Sequence, residues 1–201
     1  MITELYNKLN SKDFQSPGGI SHNFYIVPYD VREEGKTLAN VAHIVEDLKR
    51  PNDFIDVLSL DLFEVFMEYL GTVKCGGQSL LEDQLETDGQ AVESYIHAGV
   101  ADNLRAEAHG REFLDFVYSK VVAHFGKDEP SLKRPYVFFH GVGAMYPYLR
   151  ANEFLTAYEA VNDASRYKVI LFYPGVVREG QFSLFGILND QHAYRAQLLE
   201  I

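Results

Sequence analysis

Hydrophobic and polar positions along this chain fall into alternating blocks of two periods. Ile2–Leu9 has the spacing of a short amphipathic helix, and the turn formers Ser16-Pro17-Gly18-Gly19 end it. Asn23–Tyr29 is aromatic and β-branched, the mark of a buried strand, with Pro28 near its end where a missing amide costs little. Leu38–Leu48 returns to helical spacing, with Leu38, Val41, Ile44/Val45 and Leu48 on one face and Lys49-Arg50-Pro51 as the stop. Phe54–Leu60 predicts a second strand, and Asp61 is placed to cap a helix running through Tyr69.

Residues 78–129 read differently: no convincing strand, and helical spacing in two stretches. Val92, Tyr95, Ile96 and Leu104 mark one helix; Phe113, Phe116, Val117, Val121 and Phe125 mark another, ended by Asp128-Glu129-Pro130. Strand and helix then alternate again. Tyr136–His140 predicts a strand followed by the Gly141-Val142-Gly143 turn, and Tyr148–Val161 a helix with Leu149, Phe154/Leu155, Tyr158 and Val161 inward. Tyr167–Tyr173 predicts a strand closed by Pro174-Gly175; Phe182–Leu188 is a short apolar stretch, and Ala193–Ile201 a terminal strand. Near-continuous apolar strands separated by helices indicate a mostly parallel sheet covered on both faces. The expected fold is a Rossmann-like or P-loop-like three-layer α/β/α domain spanning residues 1–201, with about five strands and residues 78–129 as an acidic helical insertion.

Composition and charge narrow the function classes. At 47% hydrophobic and 23% charged, the 201 residues hold enough apolar material for a sizeable core. The net charge is −11, concentrated in residues 1–134, which carry 23 acidic residues against 13 Lys and Arg. That field repels phosphate backbones, which disfavours stand-alone nucleic-acid binding and suits a basic protein partner. One cysteine, Cys75, allows neither an internal disulfide nor a cysteine metal cluster. With no secretion signal at the N-terminus and no apolar run near the roughly 20 residues of a membrane helix, a cytoplasmic protein is expected.

The sharpest local chemistry is Gly35-Lys36-Thr37, after the first strand and opening a helix. A phosphate loop needs a glycine five positions earlier, and here that position is Asp30. Asp30, Glu33 and Glu34 put carboxylates where phosphate oxygens would sit, and Asp30-Val31-Arg32-Glu33 also fits a helix capping box. The loop is at most a degenerate one. Among the seven histidines, none pairs in a metalloprotease pattern, and His140, at the end of a parallel strand, is the one best placed for a ligand site. No serine has the flanking glycines of a nucleophile elbow.

Three segments carry a resemblance. Phe138-Phe139-His140-Gly141-Val142-Gly143-Ala144-Met145-Tyr146-Pro147-Tyr148-Leu149-Arg150 gives a strand, a glycine turn and a Tyr-Pro-x-x-Arg helix start. Leu171-Phe172-Tyr173-Pro174-Gly175 is followed by Phe182-Ser183-Leu184-Phe185-Gly186, and Ala193-Tyr194-Arg195-Ala196 closes the chain. In order and spacing these resemble the BrxB family of BREX anti-phage defence systems. The resemblance implies a core component of a system that methylates host DNA at a non-palindromic site and blocks replication of unmarked phage. It implies no catalytic residues and no cofactor, because methylation, ATP hydrolysis and the phosphatase-like activity belong to sister subunits.

The expected role is therefore a non-catalytic adaptor whose partner is the PglZ-like, alkaline-phosphatase-fold subunit, with DNA engaged only through the complex. The runner-up is a degenerate nucleotide-binding protein using Asp30, Gly35, Lys36 and Thr37; the third reading is a nucleic-acid-binding subunit. Strand-end loops gather at the carboxyl edge of a parallel sheet, so His140–Arg150 and Pro174–Gln181 should lie together. They hold the expected partner-binding residues Met145, Tyr146, Tyr148, Arg150 and Arg178, of types enriched at interfaces.

Overall fold

The computed structural model describes residues 2–15, 23–50, 53–126, 133–161, 166–178, 181–190 and 196–199. Two short helices, α1 (Ile2–Asn10) and α2 (Lys12–Gln15), precede β1 (Phe24–Tyr29). A 3-10 turn (Val31–Glu33) then leads into α3 (Glu34–Leu48), β2 (Val57–Asp61) and α4 (Leu62–Thr72). The middle holds β3 (Lys74–Cys75), β4 (Gln78–Ser79), α5 (Leu80–Gln90), α6 (Ser94–His109) and α7 (Arg111–Phe125). The last third holds β5 (Tyr136–His140), α8 (Val142–Met145), α9 (Ala151–Val161), β6 (Lys168–Arg178), β7 (Gln181–Leu184), β8 (Leu188–Asp190) and β9 (Gln197–Leu198).

Five strands pair in parallel in the order β2-β5-β6-β1-β9, and β7 and β8 extend β6 as an antiparallel appendix, giving a seven-stranded sheet. The alternation within each strand splits its side chains between two cores. Phe24, Ile26, Val137, Phe139, Val169 and Leu171 face one layer, which α4, α7 and α9 cover with Phe66, Phe113, Val117, Phe154 and Tyr158. Tyr25, Val27, Phe138, Ile170 and Phe172 face the other, covered by Leu5 and Leu9 of α1, Phe14 of α2 and Val41, Ile44 and Leu48 of α3. The order explains why. The β1-to-β2 crossover runs toward one edge, while β2-to-β5 and β5-to-β6 run back, and crossovers of one hand that travel in opposite directions cover opposite faces. Because β1 and β2 are separated by two strands, the order differs from the doubly wound 3-2-1-4-5-6 arrangement.

At the amino end of the sheet, Lys168 is buried beneath the Phe14 ring, 4.1 Å from its centroid, and donates to the Phe14 carbonyl. Burial lowers its pKa to about 8, and the bond fixes α2 to the sheet. No described helix is long and apolar enough to cross a membrane.

Several expectations are corrected. Phe54 is not a strand residue: it lies at φ 50, exposed, and β2 starts at Val57. Pro174-Gly175 does not close the third long strand. β6 passes through them, because Pro174 stands opposite Tyr29, the last residue of β1, where the ladder hands over to β7. In the middle, Val100 and Ala108 are the buried apolar positions of α6, whereas Val92 lies before the helix and Tyr95 faces solvent. The turns at 16–19 and 128–130 and most of Ala193–Ile201 lie outside the described residues.

Candidate functional site

The carboxyl edge of the sheet is assembled around one aspartate. Asp61 ends β2, and its Oδ1 accepts from the Phe63 and Glu64 amides at 2.9 and 3.1 Å, capping α4. Its other oxygen faces His140 Nδ1 at 3.2 Å, across the Asp61–His140 register of β2 and β5. The His140 contact, more than the capping amides, holds the Asp61 carboxyl below its ordinary range against the opposing effect of burial. Gly141 follows in the left-handed region at φ 74, and a Cβ there would stand 2.2 Å from Asp61 Oδ1. Only glycine both adopts that backbone and leaves room for the carboxylate.

A second glycine continues the corner. A Cβ on Gly143 would meet a Phe185 ring carbon at 2.9 Å and Pro174 Cγ at 3.0 Å, so α8 lies flat against the turn after β7 and the point where β6 changes partner. Gly175 has the same function in the hairpin: a Cβ would lie 2.3 Å from the Ser183 carbonyl oxygen. The Phe185 amide donates to the Pro174 carbonyl at 2.8 Å, and Phe185 itself takes φ 56. Tyr146, which precedes Pro147 through a cis peptide bond, meets the Phe185 ring edge-on at 6.4 Å between centroids. The Arg150 guanidinium lies 5.9 Å over the Tyr146 ring. The Arg150 amide donates to Glu153 Oε2 at 3.0 Å and the Phe154 amide to the Arg150 carbonyl at 2.9 Å, which starts α9.

The two expected loops therefore do meet, at Gly143, Pro174 and Phe185. Of the expected contact residues, Tyr146, Tyr148 and Arg150 are half-buried on this corner, and Tyr146 and Tyr148 pack on the core from its rim. Met145 is the correction. At 1% exposed it supports the turn from inside the core and offers no surface. Arg178 is exposed at the far end of β6, about 13 Å along the strand from Pro174. Phe185 was not anticipated as a site residue, although the Phe-Gly pair after a short apolar stretch was visible as a turn signal.

The Gly35-Lys36-Thr37 segment has no loop geometry. Asp30 caps the 3-10 turn by accepting from the Arg32 amide at 3.0 Å, not from Glu33, so the expected capping box is absent. Arg32 grips the same carboxylate, and that contact holds the Asp30 carboxyl at about 2. Lys36 pairs with Glu33 at 3.3 Å, and Gly35 and Lys36 lie in the first turn of α3. A 3-10 turn and a helix stand where an open glycine-rich loop would be needed, carboxylates line that turn, and Arg32 and Lys36 are held by Asp30 and Glu33. Thr37 is buried, and its Oγ1 and the Asn152 Oδ1 have no hydrogen-bond partner among the described residues. A capping box does form elsewhere, at Ser79 and Glu82. Among the described residues no group of three His, Cys, Asp or Glu side chains is placed to hold a metal ion.

Apart from Asp61 and Glu153, the residues that lock this corner lie in the first two of the three sequence segments. A family profile described as BREX protein BrxB matches residues 58–199. The chain belongs to the BrxB family. The BREX protein BrxB of Bacillus cereus (strain H3081.97) is similar to it, 23% identical over 203 residues that cover 99% of this chain and 96% of that protein. No solved structure matches the chain. The family match takes in Asp61, His140, both corner glycines, Pro174, Gly175 and Phe185. Of the closing Tyr-Arg-Ala segment, only Ala196 lies within the described residues, so Arg195 has no place in this corner description.

Proposed function

We propose that this chain is a non-catalytic adaptor of a BREX-type anti-phage complex and that it holds a PglZ-like subunit through the carboxyl-edge corner. One observation carries the reading: two of the family segments, around Gly141–Arg150 and around Pro174 and Phe185, converge on a corner built to fix a surface. Gly141, Gly143 and Gly175 each accept a contact that a side chain would prevent, and on the segment after Gly143 stand the half-buried Tyr146, with Arg150 over its ring, and Tyr148. The polar groups nearest to them serve the backbone. Asp61 caps a helix and holds His140, and Glu153 bonds the Arg150 amide. Aromatic side chains with an overlying arginine are the kind of anchor that carries binding energy in protein interfaces. The fold is read here as Rossmann-like in its parallel sheet and two-faced crossovers, used as a scaffold. The cytoplasm is the compartment that fits this role.

The test is the composition of the complex. Tagged chain expressed from its native operon is expected to bring down the PglZ-like subunit in fixed stoichiometry. Recovery of the tagged chain alone at moderate salt contradicts the proposal.

A further inference from the structure

The α5–α6 hairpin is chemically unlike the rest of the surface. Residues 82–102 contain six acidic residues and no Lys or Arg. Within eleven residues of that stretch lie Leu85, Val92 and Tyr95, exposed at 64%, 91% and 72%. The remaining large exposed apolar residues among those described, Phe54, Ile187 and Leu198, are scattered over other elements. The hairpin is firmly based. Ser79 and Glu82 form a reciprocal cap at the start of α5, Gln84 is buried and bonded to Asn103, and Tyr69 of α4 donates to Glu107 of α6 at 2.8 Å. Helix propensity does not explain the outward residues, because valine and tyrosine are mediocre helix formers and Val92 lies outside a helix.

We infer that this hairpin docks a basic, amphipathic helix of a protein partner, with Leu85, Val92 and Tyr95 against its aliphatic stripe and Glu86 and Glu93 facing its Lys and Arg. Apolar side chains inside a polar, single-sign rim mark a docking surface, and the rim selects a partner of opposite charge. Asp88 and Asp102 are paired with His97 and Arg105, whereas Glu82, Asp83 and Glu86 bond the neutral donors Ser79, Gln84 and Gln90, which leave their negative charge in place for a basic partner. A second copy of this chain fits poorly, since it would set one acidic hairpin against a chain of net charge −11. Nucleic acid and anionic lipid are repelled for the same reason. The inference rests on the adaptor reading and adds a second contact to it, with a partner of stated chemistry.

Photo-crosslinking inside the co-expressed operon separates the two. A benzoylphenylalanine replaces Tyr95 in one variant and the exposed Ala144 of α8 in another, and the adducts are identified by mass spectrometry. The expected result is a Tyr95 adduct with a Lys- and Arg-rich, aliphatic segment of a sister subunit, reduced at least tenfold by Glu86→Lys with Glu93→Lys while the Ala144 adduct is unchanged. An adduct at Ala144 alone overturns this inference and leaves the adaptor reading standing. An adduct at Tyr95 alone keeps the inference and removes the corner as the contact. No sister adduct at either position sinks both, and a Tyr95 adduct with another copy of this chain, or with an acidic segment, sinks the inference.

Discussion

The carboxyl-edge corner and the α5–α6 hairpin are both surface features, yet they are built on opposite principles. At the corner, a carboxylate, two rings and a neighbouring strand come so close that Gly141, Gly143 and Gly175 have no room for a Cβ within ordinary contact distance. In the hairpin, Gly89 and Gly99 have nothing within 4 Å of where a Cβ would be. One surface is fixed by contacts made behind it; the other is a stretch of helix facing water with apolar side chains outward. The difference teaches that exposure and importance to the fold separate cleanly here. The corner should answer to substitution through stability as well as binding, and the hairpin through binding alone.

Glycine substitution gives the largest contrast. Gly141→Ala is expected to cost about 3 kcal/mol, from the left-handed backbone and the displaced Asp61 carboxylate together. Gly99→Ala, in the exposed middle of α6, is expected to stabilise by about 0.5–1 kcal/mol. Urea denaturation of the two variants measures both, and equal signs would end the comparison.

Asp61 sharpens it on the corner side. Asp61→Asn keeps the shape but removes the charge that caps α4 and faces His140, at a cost of about 1–2 kcal/mol near neutral pH. Because the folded carboxyl titrates below its unfolded value of 3.8, its contribution is complete above that value and is lost as pH falls through the depressed folded pKa. The difference between wild type and variant in melting temperature should therefore shrink as pH falls below 4. A difference that grows below pH 4 contradicts the assignment.

The smallest effect belongs to the hairpin. Val92→Ser with Tyr95→Ser is expected to change stability by no more than about 0.5 kcal/mol, since neither side chain is packed. A loss of 2 kcal/mol in the same denaturation assay would show that these residues hold the fold.

Much of this contrast is legible in the sequence, and unevenly so. Strands buried on both faces announce themselves by unbroken apolar runs, and Phe24–Tyr29 and Tyr136–His140 match their expected spans to within a residue. Asp61 as a helix cap is equally local, needing only a polar residue before an apolar period. Pro174 misled because a proline after a strand ordinarily ends it; that β1 stops opposite it is a fact of three-dimensional register. The Asp30 capping box failed because Arg32 competes for the carboxylate and tightens the turn to 3-10. Val92, Tyr95, Ile96 and Leu104 have helical spacing, but a periodic pattern does not say which face meets the body, and Val92 lies before α6 while Tyr95 faces solvent. Met145 joined the expected surface through its residue type, whereas its place at the end of a one-turn helix over the core buries it. That the two segments of the corner, some thirty residues apart, lie together follows from the carboxyl-edge rule for parallel sheets, whereas the close contacts that require Gly141, Gly143 and Gly175 are facts of three-dimensional packing.

The central claim is that the corner is an interface on a folded scaffold, and one measurement addresses it most directly. Tyr148→Ala with Arg150→Ala is introduced into the tagged chain in its native operon, and the recovered subunits are quantified beside the circular dichroism and elution volume of the variant. The account predicts a folded, soluble monomer that brings down less than a tenth of the PglZ-like subunit recovered by the wild type. A folded variant that still recovers the partner in full would contradict it, and an unfolded variant would make these residues part of the scaffold and not of the interface.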